Sequence, residues 1–105
     1  MINIVSENDD DCLISIDGEL TIYNAMEIDK SLLENINKYQ NISLDLNDVS
    51  EMDTACYQLL LQKFLLCKDR GKAFVISTAS PQAQEVFELY GDSGMFGEQS
   101  TDQRQ

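Results

Sequence analysis

The side chains best suited to chemistry in this chain lie together at Asp53-Thr54-Ala55-Cys56, which offers a carboxylate, a hydroxyl and a thiol. If a helix begins here, its N-terminus is expected to lower the pKa of the Cys56 thiol. A thiol nucleophile also needs a base, and the chain contains no histidine. We therefore interpret the stretch as a binding surface without catalytic residues and predict that the protein is not an enzyme.

A strand and a helix must position this stretch. Apolar and polar residues alternate over 42–46, which predicts a strand with one apolar face. Over 57–67 the apolar residues recur at helical spacing, so we predict a helix over residues 54–70. Asp53 or Thr54 is the expected N-cap, and a carboxylate here also favours the positive end of the helix dipole.

The remaining elements extend this unit into an α/β fold. The patterns predict an antiparallel hairpin over residues 2–16, a helix over 24–38, a buried parallel strand over 73–77 and a short helix that begins at Ser80-Pro81. The order β-β-α-β-α-β-α implies a mixed sheet, with an N-terminal hairpin and then parallel β-α-β-α-β, flanked by helices. Residues 1–97 are predicted to form a single domain, and the polar residues 98–105 a disordered tail.

Loops that follow parallel strands meet at the carboxyl edge of a sheet, where binding surfaces form. We expect three loops at this edge: residues 17–23, in which Leu20 and Ile22 make apolar contacts, residues 47–55 and residues 78–81. They bring together Asp17, Thr21, Asp48, Ser50, Asp53, Thr54, Thr78 and Ser80. This patch is acidic and rich in hydroxyl groups, which favours docking of a protein.

The charge of the chain limits its partners. It has 19 acidic and 7 basic residues and a formal charge of −12. Such a field repels nucleic-acid phosphates and anionic lipid, and it favours either a solvated surface or steering towards a basic protein. The chain has no basic segment followed by an apolar run at its N-terminus, and no apolar stretch of the ~20 residues that span a bilayer. We therefore predict a soluble, cytoplasmic protein without membrane insertion.

No cofactor or metal is predicted. The three cysteines include no C-x-x-C pair, and Cys12 and Cys67 lie in apolar patterns that place them in the core. Residues 9–11, Asp-Asp-Asp, are either a solvated turn or calcium ligands, but the Gly and distal Glu of an EF-hand loop are missing. A G-x-x-x-x-G-K-[ST] motif for nucleotide phosphates is also missing.

Four motifs occur in an order that is typical of one family. They are Gly18-Glu19-Leu20-Thr21, the Asp53-Thr54-Ala55-Cys56 block before an apolar helix, Ser80-Pro81 ahead of Val86-Phe87-Glu88-Leu89, and Gly91-Asp92-Ser93-Gly94-Met95-Phe96. Over residues 10–97 the chain resembles the STAS domains of sulphate transporters and anti-sigma factor antagonists, whose usual block is Asp-Ser-Ser-Gly. The resemblance implies a STAS-like α/β fold.

The resemblance also implies a function. Antagonists of this family bind an anti-sigma factor, a serine kinase with a histidine-kinase-like ATPase fold, through the block and the helix after it, and phosphate on the block abolishes binding. The residues that would contact the partner here are Asp17, Thr21, Ser50, Asp53, Thr54, Ala55, Cys56, Thr78 and Ser80. Ala55 stands at the usual acceptor position and has no hydroxyl, so Thr54 is the candidate for phosphorylation. Cys56 replaces the usual glycine.

A constitutive role is the alternative that the resemblance leaves open. STAS domains with variant Asp-Thr blocks also occur beside chemotaxis signalling proteins and as small subunits of lipid-transporting ABC ATPases. In that role Thr54 would not act as a switch. Leucines 59–61, 65 and 66 surround the predicted central helix, so its second flank packs either on a neighbouring helix or on a partner chain, including a homodimer.

Overall fold

A computed structural model describes residues 2–91 and 95 of the chain. In chain order its elements are β1 (Ile2–Glu7), β2 (Asp11–Ile16), β3 (Gly18–Leu20), α1 (Ala25–Lys38), β4 (Asn41–Leu46), β5 (Val49–Met52), α2 (Thr54–Asp69), β6 (Ala73–Ala79) and α3 (Pro81–Tyr90). The main sheet has the order β1-β2-β4-β6. Its β1–β2 hairpin is antiparallel and its other pairs are parallel, which confirms the predicted mixed sheet.

The main sheet buries only one of its two faces. Ile14, Leu44 and Ile76 are buried on the face that packs with the helices, and all three helices contact strands of this sheet. The alternating residues, such as Val75 and Ser77, are partly or fully exposed on the other face. The prediction of a parallel strand here is confirmed. Its burial is limited to the face of Phe74 and Ile76, because the helices pack on that side of the sheet.

A second, two-stranded sheet replaces the predicted loop before α2. The strands β3 and β5 pair in parallel, with Gly18 opposite Val49 and Leu20 opposite Met52. The residues of β5 were predicted to be loop because apolar and polar types do not alternate in Val-Ser-Glu-Met. In the structure Val49 and Met52 are buried and the two residues between them are exposed. This small sheet positions the residues that precede α2.

Helix boundaries follow the predicted signals closely. In α1 the buried stripe is Ile28, Leu32 and Ile36. The helix α2 ends before Gly71, which has a φ of +72°, a conformation that glycine adopts without steric cost. The start of α3 has Ser80 as N-cap and a proline at the first helical position, as predicted.

The helices α1 and α2 pack side by side through apolar and charged contacts. Lys63 of α2 is buried and forms an ion pair with Asp29 of α1. Leu60 is fully buried, while Leu65 on the same helix is 52% exposed. Three further leucines of α2 are partly buried against the core, namely Leu59, Leu61 and Leu66.

Part of the predicted C-terminal region falls outside the described residues. Met95 is buried, and its carbonyl accepts a hydrogen bond from the amide of Ile76 at 2.7 Å. Phe96 and the predicted tail over 98–105 are not among the described residues. No helix in the described part combines the length and apolar content that a membrane crossing requires.

Candidate functional site

The carboxylate of Asp53 joins two segments that are far apart in sequence. One oxygen, Oδ1, accepts a hydrogen bond from the amide of Cys56 at 3.0 Å, which is the predicted N-cap of α2. The other, Oδ2, accepts from the amide of Ile22 at 2.9 Å, in the connection between β3 and α1. The backbone amide of Asp53 donates to the carbonyl of Leu20 at 3.1 Å. Asp53 therefore fixes the start of α2 against the residues that lead into α1.

Thr54 and Ala55 form the exposed first turn of α2. The side chains of these two residues have different neighbours. The Thr54 hydroxyl accepts a hydrogen bond from the hydroxyl of Tyr90, at the end of α3, at 3.0 Å. Ala55 instead lines a groove between α1 and α2. Both residues are accessible to a partner, as the sequence predicted.

Cys56 does not have the environment that the sequence predicted. Its side chain is only 1% exposed. Burial, and then the charge of Asp53 and the contact of the thiol with it, raise the pKa of Cys56 from an ordinary 9.0 to about 11. The predicted lowering of the pKa is wrong because the side chain turns into the core beside a carboxylate. Cys56 packs beneath the surface and is not available to contact a partner.

Thr21 and Ser80 are also buried. Ser80 caps α3, with its hydroxyl accepting from the amide of Ala83 at 3.2 Å. The hydroxyl of Thr21 is buried and has no hydrogen-bond partner among the described residues. The prediction that these two side chains face a partner is corrected accordingly.

The other predicted residues, Thr78, Ser50 and Asp17, lie on or beside three different strands. The hydroxyl of Thr78 on β6 donates a hydrogen bond to the carboxylate of Asp45 on β4. This bond, and to a smaller extent the one from the amide of Asn47, lowers the pKa of the Asp45 carboxyl. Ser50 is exposed on β5, and Asp17 is partly buried just before β3. The hydrogen bonds thus join Asp53 and Thr54 to the β3–α1 connection and α3, while Thr78 is engaged at the main sheet.

An exposed apolar cluster that the sequence did not predict lies beside the start of α2. Ile22, Tyr23 and Met26 are 64%, 92% and 87% exposed, and we call them the apolar rim. Ile22 was expected to make apolar contacts, but its amide is bonded to Asp53 and its side chain remains outside. Met26 could have been found from the sequence, because it falls off the buried stripe of α1.

The apolar rim adjoins a groove of about 350 Å³ between the first turns of α1 and α2. The groove is lined by Ala25, Met26, Asp29, Ala55, Gln58, Leu59, Gln62 and Lys63. Across the described ranges, no three Cys, Asp or Glu side chains are grouped so that they could hold a metal ion. An exposed apolar cluster beside a shallow groove is typical of a protein-binding surface.

Two substitutions of Asp53 distinguish the contribution of its hydrogen bond to Cys56 from that of its hydrogen bond to Ile22. We expect Asp53→Ala to lower the free energy of unfolding in urea by about 2 kcal/mol, since both the cap and the bond to Ile22 are lost. Asp53→Ser keeps a capping oxygen and is expected to lose about half as much. Amide hydrogen exchange of Ile22 should increase in both variants, and that of Cys56 only in Asp53→Ala. Equal instability of the two variants would contradict this assignment.

The burial of the cysteines predicts their reactivity. Cys12, Cys56 and Cys67 are all at most 2% exposed, and desolvation raises the pKa of each thiol. At pH 8 we expect the folded protein to react with a disulfide reagent at least ~100-fold more slowly than the unfolded chain. Ser50→Cys, at an exposed position, is the control and should react at once. Rapid reaction of Cys56 in the folded protein would contradict the raised pKa.

Comparison with known proteins agrees with this fold. A family model described as "Mlab, STAS domain" matches residues 4–96. The chain is 25% identical over 87 residues to an anti-sigma-B factor antagonist of Bacillus subtilis (strain 168), an alignment that covers 83% of this chain and 80% of the relative.

Solved structures show the same fold at low sequence identity. The anti-sigma factor antagonist SpoIIAA in its unphosphorylated form matches with a TM-score of 0.77 at 17% identity, over 98% of this chain and 95% of the other. The phosphorylated form of SpoIIAA, described as a Bacillus cell fate determinant, matches with a TM-score of 0.73 at 17% identity, over the full length of both chains. An antagonist from Mycobacterium paratuberculosis matches with a TM-score of 0.75 at 15% identity, over 92% and 84%. With its fold and nearly all of its length matched, the chain belongs to the STAS domain family.

Proposed function

We propose that this protein is an anti-sigma factor antagonist, which binds an anti-sigma factor through the start of α2 and the apolar rim. The observation that carries the proposal is the exposure of Ile22, Tyr23 and Met26 beside Thr54 and Ala55. Support comes from the Bacillus subtilis relative, which is an anti-sigma-B factor antagonist. The protein acts by binding, and the proposal assigns it no reaction.

The apolar rim supplies a driving force for binding. Tyrosine and methionine are enriched in the centres of protein interfaces, where burial of their apolar surface stabilises the complex by about 25 cal/mol per Å². Asp53 holds the backbone of Ile22 in place before binding, so less conformational entropy is lost on association. A pre-positioned rim of this kind provides the affinity of the surface.

The charge of the protein selects the partner. The surface around the rim carries Glu27 and Glu51, both exposed, and the whole chain has a formal charge of −12. A partner with basic residues around an apolar recess is attracted by this field and binds faster at low ionic strength. The proposed partner is therefore an anti-sigma factor with a basic docking surface.

Phosphorylation of Thr54 by the bound serine kinase is the proposed control. Thr54 is exposed, and a phosphate there would add nearly two negative charges that are repelled by Asp53 and must be desolvated in the apolar contact with the partner. SpoIIAA, which shares the fold, has been solved in unphosphorylated and phosphorylated forms, which supports a switch of this kind. Ala55 has no hydroxyl, so Thr54 is the acceptor in the block.

A charge in the apolar rim should weaken binding. We expect Met26→Asp to reduce the affinity for a purified anti-sigma factor of the same organism at least ~10-fold by calorimetry, because a desolvated carboxylate replaces an apolar contact. Met26 is 87% exposed, so the fold should be unaffected. The control is Leu65→Asp. Leu65 is also exposed, at 52%, but it lies about 16 Å from Thr54 along the axis of α2. Equal affinities of the two variants would place the interface elsewhere.

The switch is tested at Thr54. We expect Thr54→Glu to abolish binding of the anti-sigma factor and Thr54→Ala to retain it, because only the former places a charge that must be desolvated where the first turn of α2 meets the apolar recess of the partner. Mass spectrometry of the protein from its own cells, with fragmentation across Thr54, should detect phosphate on this residue. Equal binding by wild type and both variants, with no phosphate under several growth conditions, would rule out the switch.

That last outcome would favour a second candidate function. Ala55 at the usual acceptor position is the observation that supports a constitutive role. The protein would then be a permanent scaffold or accessory subunit, in a chemotaxis-type signalling complex or a lipid-transport ABC ATPase. Such a subunit would use the same apolar rim and would bind irrespective of the state of Thr54.

A further inference from the structure

We propose that Tyr90 is a positioning residue for Thr54, and that through Tyr90 the chemical state of the Thr54 hydroxyl changes the end of α3. The inference rests on the proposed function of Thr54 and concerns how that site is regulated. It assigns a role to a residue 36 positions away from Thr54 in the chain.

Tyr90 contacts the start of α2 at two points. Its hydroxyl donates to Thr54 Oγ1 at 3.0 Å. Its ring stacks on that of Tyr57, with centroids 4.5 Å apart and planes at 15°. Tyr57 lies three residues after Thr54 on the same side of α2, as expected for helical spacing. The hydrogen bond and the stack therefore reinforce one another.

The surroundings of Tyr90 restrict its movement. Tyr57 is buried and its ring makes an edge contact with Phe87, at a centroid distance of 5.5 Å. Phe87 in turn is buried one turn before Tyr90 on α3. Gly91 ends the helix with a φ of +78°, and its amide bonds to the carbonyl of Glu88 at 3.4 Å. Because the ring rests on a buried aromatic pair, the Tyr90 hydroxyl has a defined position.

This geometry fixes the Thr54 hydroxyl. As Oγ1 accepts from Tyr90, its own proton is directed elsewhere and is available to an acceptor on a partner or to a base. In phosphoryl transfer from a nucleoside triphosphate, that proton leaves to the base, an Oγ1–P bond forms and the nucleoside diphosphate departs. Tyr90 thus presents the threonine in one orientation for either event.

Phosphorylation of Thr54 would change the hydrogen-bond acceptor that is available to the Tyr90 hydroxyl. The bridging oxygen of a phosphate ester is a poor acceptor, whereas the charged terminal oxygens are strong ones and lie further from the helix. To reach them, the Tyr90 hydroxyl must move away from its present position, and the ring must shift on Tyr57. The end of α3, with the 44% exposed Tyr90 and the 78% exposed Leu89, would then present a different surface.

The proposal is tested in the free protein by NMR with ring-labelled tyrosine. Thr54→Val keeps the shape of the side chain but removes the acceptor, and it should shift the Tyr90 ring signals and speed amide exchange in the last turn of α3. Thr54→Ser retains the hydroxyl and should leave both close to wild type. Tyr90→Phe assigns the signals, and those of Tyr39, at the far end of α1, serve as the internal control. Tyr90 signals in Thr54→Val that match wild type would overturn the proposal.

Binding and phosphorylation measurements separate this inference from the proposed function. If the wild type binds an anti-sigma factor that phosphorylates Thr54, Tyr90→Phe should retain that binding, as Thr54→Ala does, but should slow phosphorylation of Thr54 about 5-fold, because the hydroxyl is no longer oriented. An unchanged rate of phosphorylation in Tyr90→Phe would overturn the positioning role. If the wild type binds no anti-sigma factor, the proposed function fails, and the NMR comparison still decides whether Tyr90 responds to Thr54.

Discussion

The site depends on the carboxylate of Asp53, which accepts amides from two segments of the chain. Its bond to Cys56 satisfies the start of α2, and its bond to Ile22 sets the path from β3 into α1. A charged acceptor suits both amides, because hydrogen bonds to an ionised group are shorter and stronger than neutral ones. Without this bridge, the apolar rim and the first turn of α2 would be related only by the pairing of β3 with β5 and by the packing of α1 on α2. A single side chain therefore explains why the accessible residues beside it have a defined arrangement.

The core supplies a rigid base for that arrangement. The main sheet buries one face under all three helices, so α2 and α3 lie on the same side and their ends approach each other. The ion pair between the buried Lys63 and the 43% exposed Asp29 links α1 to α2. Removing Asp29 would leave the Lys63 ammonium buried without this carboxylate, so the pair favours one relative position of the helices. The groove beside Ala55 is a consequence of that position.

The sequence predicts elements better than it predicts the surroundings of individual side chains. The strands of the main sheet and the caps Asp53 and Ser80 were predictable, because alternation and capping are local properties. The strand β5 was missed because it has only four residues and their apolar and polar types do not alternate. The pKa of Cys56 was predicted with the wrong sign, since the helix N-terminus is visible in the sequence but the direction of the side chain is not. The contact between Tyr90 and Thr54 joins residues 36 apart, and no local pattern indicates it.

The loss of the second hydroxyl of the block, at Ala55, has a structural consequence. Successive residues of an α-helix point about 100° apart, so Thr54 and Ala55 face different neighbours. Ala55 lines the groove between α1 and α2, whereas Thr54 is bonded to Tyr90 of α3. A phosphate at position 55 would lie beside the groove and Met26, directly within the apolar rim. A phosphate at Thr54 would lie towards α3, beside Tyr90. The proposed control by phosphate would therefore act through α3 as well as through the docking surface itself.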